Sequence, residues 1–125
     1  MATQKKTDID QLLADSLKQL ASKKLLEKIT IKEITDLAGV IRPTFYNHFQ
    51  DKFELLEWII KKELLEPVQP LIRNDMFTEA MLLLFTNIER DKAFYSHVVK
   101  LEGPVTFHSI ASKCVREVLL TIINE

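Results

Sequence analysis

Arg42, Thr44, Tyr46 and Lys52 place four side-chain donors in one short stretch. A guanidinium offers paired N–H groups that match the acceptors on the edge of guanine, and hydroxyl and ammonium donors suit phosphate oxygens. Such a cluster does recognition rather than bond making. The residues a catalyst needs are missing: there is no Gly-rich phosphate loop, no paired-carboxylate geometry and no Ser/His/Asp pattern. His97 and His108 lack ligand spacing with each other and with Cys114, so no metal and no cofactor are expected. The lone Cys114 reads as a small buried hydrophobe.

These donors need a scaffold, and the local signals supply one. Thr30 and Glu33 have the spacing of a capping box, with Ile29 and Ile34 as its hydrophobic staple. They predict a helix over Ile31–Ala38, stopped by Gly39 in a left-handed conformation. A second helix over Arg42–His48 follows at once. Pro43 costs little in a first helical turn, because the early N–H groups have no intrahelical acceptor. Phe45 and Phe49, spaced i, i+4, are its inward anchors. Two short helices joined by a three-residue turn containing Gly form a helix-turn-helix. Neither is long enough to stand alone in water.

The remaining elements are also helical. A first helix is predicted over Asp8–Lys24, with Thr7 and Asp10 as its capping start and Ile9, Leu12, Leu13, Ser16, Leu17 and Leu20 on one buried face. Asp51 and Glu54 open a fourth helix that runs to Glu66, where Pro67 ends it. Pro67 and Pro70 mark a break before three further helices, at Asp75–Glu89, Asp91–Leu101 and Val105–Asn124. Their expected buried positions include Met81, Leu82, Leu84, Phe85 and Ile88, then Ile110, Val115, Val118, Leu119, Ile122 and Ile123. The chain divides into a helix-turn-helix head, 1–52, and a helical body, 53–125, which is expected to be incomplete.

Composition agrees with an all-α fold. The chain has 125 residues, 46% hydrophobic and 28% charged, with only 2 Gly and 4 Pro to punctuate it. That is too few turn formers for a β architecture. The net charge of −1 gives no global signature for nucleic acid. It is uneven, though: residues 1–52 hold nine Lys and Arg against seven Asp and Glu, and residues 53–125 hold eight against eleven. The direction suits a head facing phosphates. The mixed charge of the Lys23–Lys28 segment suits a solvated corner rather than a membrane surface. The N-terminus lacks an apolar signal core and no apolar run reaches membrane-spanning length, so a cytoplasmic setting without membrane contact is expected.

The stretch ITIKEITDLAGVIRPTFYNHFQDKFELL, about a quarter of the chain, resembles the N-terminal signature of the TetR family of transcriptional regulators. AGV, TFYNHF and DK co-occur there at fixed spacing. The resemblance implies a homodimer on a palindromic double-stranded operator, with one recognition helix per major groove. It implies that Lys32 and Arg42 contact bases, that Thr30, Thr44, Tyr46, His48 and Lys52 contact or frame phosphates, and that Asn47 does either. Pro43 belongs to the same contact surface. A small effector bound among body residues such as Met81, Phe85, Phe94, Tyr95, Phe107 and His108 is also implied, although core packing explains the same residues. The run FYNHFQDKFELLEWI is similar to a short-bodied branch of the family that includes activators of dihydroxyacetone kinase operons.

Two features depart from the family pattern. Ile41 occupies the N-cap of the recognition helix, where a Ser is common. It has no oxygen to offer, so another group or water must serve the N–H donors, or Ile41 meets a thymine methyl. The chain also ends where two dimerisation helices are expected to begin. A second reading is therefore kept beside the first: a helical interaction module that acts with a partner protein or co-activator rather than binding DNA alone.

Overall fold

The computed structural model describes residues 2–125, with side chains from Ile9 onward. Its elements are α1 (Ala2–Ala21), α2 (Ile31–Ala38), α3 (Arg42–His48), α4 (Lys52–Ile60), α5 (Gln69–Arg73), α6 (Phe77–Arg90), α7 (Lys92–Val98) and α8 (Phe107–Ile123), with no strand among the described residues. A 3₁₀ turn at Leu26–Lys28 leads into α2.

α1 starts earlier and stops sooner than its sequence pattern predicts. Thr7, the expected cap, lies outside the residues whose side chains are described. Leu13, Ser16 and Leu17 are buried as expected, but Leu12 is 45% exposed. The buried arc is centred on Leu13 and Leu17, so its second edge is formed by Ala14 and Ala21 rather than by Leu12.

The helix-turn-helix forms where its local signals place it. Thr30 Oγ1 accepts from the Glu33 N–H at 3.1 Å, and Glu33 Oε1 accepts from the Thr30 N–H at 3.0 Å. Ile29 and Ile34 are buried side by side in the core. Gly39 adopts φ 75°, and the Val40 N–H returns to the Thr35 carbonyl at 3.0 Å, closing the helix end. α3 then buries Phe45 and Phe49.

The expected stop at Pro67 does not occur. α4 widens into a π turn at Lys61–Leu65, tightens into a 3₁₀ turn at Glu66–Val68 and continues as α5. Pro67 and Pro70 each sit in the first turn of a new helical segment, where a missing N–H breaks no bond. The chain bends instead at Asn74–Met76, with Asp75 at φ 58°.

One hydrophobic cluster joins Leu13, Leu17, Phe45 and Phe49 to Ile59, Phe94, Val98, Ile110 and Cys114. At its edge Trp58 meets Phe49 edge to face, with centroids 6.3 Å apart. The body differs from its predicted burial. α6 turns Ala80, Leu84 and Ile88 inward and leaves Met81, Leu82 and Phe85 at 48%, 63% and 59% exposure. α8 buries Ile110 and Cys114, with Val118 packed against the core, while Val115, Leu119, Leu120 and Ile123 face outward. Both helices are apolar around more of their circumference than this chain covers.

Candidate nucleic-acid interface

Burying Phe45 fixes the roll of α3. Helical spacing then turns Arg42, Pro43, Tyr46 and Asn47 to solvent, with Thr44 half-buried beside them. Tyr46 lies edge-on to Phe45, with centroids 5.4 Å apart, so its ring is braced while the residue stays exposed. Thr30 and Lys32 are exposed on α2. Lys32 Nζ donates to Asp36 Oδ2 at 2.7 Å on that open face, an i, i+4 pair that holds the ammonium on the helix surface.

The missing cap at Ile41 is resolved by the first turn itself. Pro43 has no N–H. The Thr44 and Phe45 N–H groups both reach the Ile41 carbonyl, at 3.0 and 3.4 Å. Of the first-turn donors, only the Arg42 N–H is left over among the described residues. The Ile41 side chain is 68% exposed at this tip, next to Arg42. An aliphatic group and a guanidinium thus project together from the leading end of α3.

Two expected phosphate residues have other partners. Lys52 Nζ donates to the carbonyls of Leu26 (2.7 Å), Glu27 (3.3 Å) and Ile29 (2.7 Å). Its three protons are used inside the protein, where they clamp the 3₁₀ turn to the start of α4. Burial lowers its ammonium below the usual lysine value, with Glu27 and Glu33 opposing the shift. His48 Nδ1 lies 2.7 Å from Asp10 Oδ1 on α1. Asp10 therefore holds the recognition helix and is not a capping partner for α1. Sequence reading missed this role because the two residues lie 38 positions apart and no local pattern links them.

Of the six body residues considered for an effector, Phe94 and Phe85 edge two different cavities. Phe94 and Tyr95 are buried and meet edge to face, with centroids 4.8 Å apart. Met81 and Phe85 are exposed on α6, Phe107 is half-buried and His108 is exposed at the start of α8. Phe94 edges a polar crevice with Lys18, Arg90 and Asp91. Phe85 edges a separate open groove with Leu82. At the crevice, Lys18 Nζ contacts Glu63 Oε1 and Asp91 Oδ2, both at 2.7 Å. The nearby Tyr95 hydroxyl is buried without a hydrogen-bond partner among the described residues, and burial raises it far above the usual phenol value. No described helix is long and apolar enough to cross a membrane.

Comparison with known proteins bears on the same segment. The family model described as bacterial regulatory proteins, tetR family, matches residues 15–59. That span holds the last third of α1, all of the helix-turn-helix and nearly all of α4. The chain is 28% identical over 99 residues to the HTH-type dhaKLM operon transcriptional activator DhaS of Lactococcus lactis subsp. lactis. The alignment covers 78% of this chain and 53% of that protein, so the chain spans about half the length of the curated relative it matches.

Proposed function

We propose that this chain, whose residues 15–59 match the tetR family model, is a TetR-type regulator: a dimeric, sequence-specific DNA-binding regulator of transcription whose operator binding a small effector modulates. The likeness to regulators supports a regulatory rather than an enzymatic reading. The observation that carries the reading is the presentation of α3: Phe45 and Phe49 are sunk in the core while Arg42, Tyr46 and Asn47 face out. Such a helix fits the major groove, with Arg42 on base edges, Thr30, Thr44 and Tyr46 on phosphates, and Asn47 on either. Lys32 adds a second base contact once it exchanges Asp36 for DNA. Two heads would engage half-sites roughly 34–36 Å apart. The outward Val115, Leu119, Leu120 and Ile123 on α8 support a helix-to-helix dimer contact.

The test is an electrophoretic shift with duplexes enriched from a random pool, run across a salt series. Arg42→Ala should relax preference at one base position, at a cost of about 1–3 kcal/mol. Absence of binding at every salt concentration would overturn the reading. Light scattering should find a dimer that Leu119→Glu dissociates; an unchanged mass would remove α8 from the contact.

The second reading, a module that reaches DNA only through a partner protein, is favoured by the additional apolar face of Met81, Leu82 and Phe85 on α6. Here the purified chain would show no DNA affinity until that partner is added.

A further inference from the structure

His48 closes the recognition helix, and its ring is gripped from behind. The imidazole and the Asp10 carboxyl are 14% and 16% exposed, with Nδ1 and Oδ1 2.7 Å apart. A carboxylate has no proton to give, so the hydrogen in this contact is carried by Nδ1. In a neutral ring Nε2 is then a bare lone pair, an acceptor only. Phosphate oxygens are acceptors as well. The two can meet only when Nε2 also carries a proton, which makes the ring an imidazolium. Among the described residues Nε2 has no hydrogen-bond partner.

We propose that Asp10 is a positioning residue for DNA binding and that operator docking is proton-linked: Asp10 holds His48 so that a protonated Nε2 faces a backbone phosphate, and each docking head takes up as much as one proton. The inference rests on the reading of α3 as the DNA-facing helix. The imidazolium would sit between two anions in a partly desolvated place, making charge-assisted hydrogen bonds to both.

The other charged groups of the head are engaged elsewhere or lie beyond contact. On α4, Lys52 is turned to the carbonyls of Leu26, Glu27 and Ile29, and Asp51 caps its own helix. On α2, Lys32 is paired with Asp36, and Glu33 with Lys24. On α3 itself, Arg42 projects from the opposite end of the helix. Among the described residues, Asp10 is the charged group in contact with the ring.

Histidine is the ordinary side chain whose charge changes near neutrality, whereas the DNA phosphodiester does not titrate there. The experiment uses the full chain and a duplex it has itself enriched from a random pool. Filter-binding affinities are measured at fixed ionic strength from about pH 5.5 to about pH 8.5. The wild-type association constant should fall with rising pH, by at most about tenfold per pH unit for each docked head. His48→Gln should bind with little pH dependence. Asp10→Asn, which removes the carboxylate charge behind the ring, should bind more weakly at neutral pH. His97→Gln should keep the wild-type slope.

Titration calorimetry of the wild type in two buffers of different ionisation enthalpy reads proton uptake directly, and keeps the proposal testable should a head variant fail to fold. A pH-flat wild type, an unchanged slope in His48→Gln, or zero proton uptake would overturn it. Failure to bind the duplex at any pH would instead overturn the DNA-binding reading beneath it.

Discussion

Lys52 looks like a surface cation in the sequence and behaves as an internal clamp in the fold. Three carbonyls depend on it, those of Leu26, Glu27 and Ile29, and none of the three accepts from Lys52 by chance of a flexible tip: two of the contacts are 2.7 Å long. Lys52→Met keeps the aliphatic stem and removes the donors. It should cost roughly 1–3 kcal/mol of stability, read as a lower urea midpoint with an unchanged denaturant slope. Wild-type stability in that variant would leave the ammonium free for DNA after all. Arg42 is its counterpart: among the described residues no carboxylate engages it, so its removal should touch base preference and not the fold. The difference between the two cations depends on what lies behind each one, and that is set by the 3₁₀ turn preceding α2.

The elements of the head were legible because their signals are local. The Thr30–Glu33 box, the Ile29–Ile34 staple and Gly39 act within a few residues, and each fixes a boundary by its own chemistry. The end of α4 was not legible on the same terms. A proline forbids a helix interior but is welcome in a first turn, and choosing between these needs the π and 3₁₀ turns that reset the helix at Lys61 and Glu66. The outward faces of α6 and α8 were misread for another reason. Met81, Phe85 and Leu119 are as apolar as Leu84 and Val118; only the neighbours decide which of them is covered. The Asp10–His48 contact is tertiary and left no sequence trace. At this scale Ile41 gives a clean test. Ile41→Ser offers an oxygen to the Thr44 N–H and gives up a side chain that is already 68% exposed. It should stabilise the protein by about 0.5–1 kcal/mol, seen as a raised Tm. If Ile41 reads a thymine methyl, the same variant will lose operator selectivity while gaining stability, and a Tm at or below wild type would show that the first turn needs no further cap.

Across the whole molecule, Lys18 on α1 joins the π turn after α4 to the junction of α6 and α7 through Glu63 and Asp91. Burial works against its charge, yet hydrogen bonds to Asp91 and Glu63 carry the ammonium above the usual lysine value. Glu63 is not a mirror image: burial raises its carboxyl, and Lys18, shared with Asp91, offsets that only in part. Lys18→Met would leave two carboxylates facing each other in a half-buried crevice, with a loss of roughly 1–3 kcal/mol near neutral pH. The Glu63 carboxyl should then rise further. A raised carboxyl contributes stability below its unfolded value and loses it as pH rises through the folded one, so the deficit should be small near about pH 4 and full near about pH 7. A deficit independent of pH would mean that lost packing, not charge, is responsible. The edge-to-face contact of Trp58 with Phe49 has a consequence of its own at this scale. Trp58 is the only tryptophan in the chain, and it rests on the residue that ends the recognition helix. Its intrinsic emission is therefore an unlabelled reporter of the head: any event that shifts α3 against α4, whether operator docking, effector capture or the first step of unfolding, changes the surroundings of one indole and can be followed in the native protein.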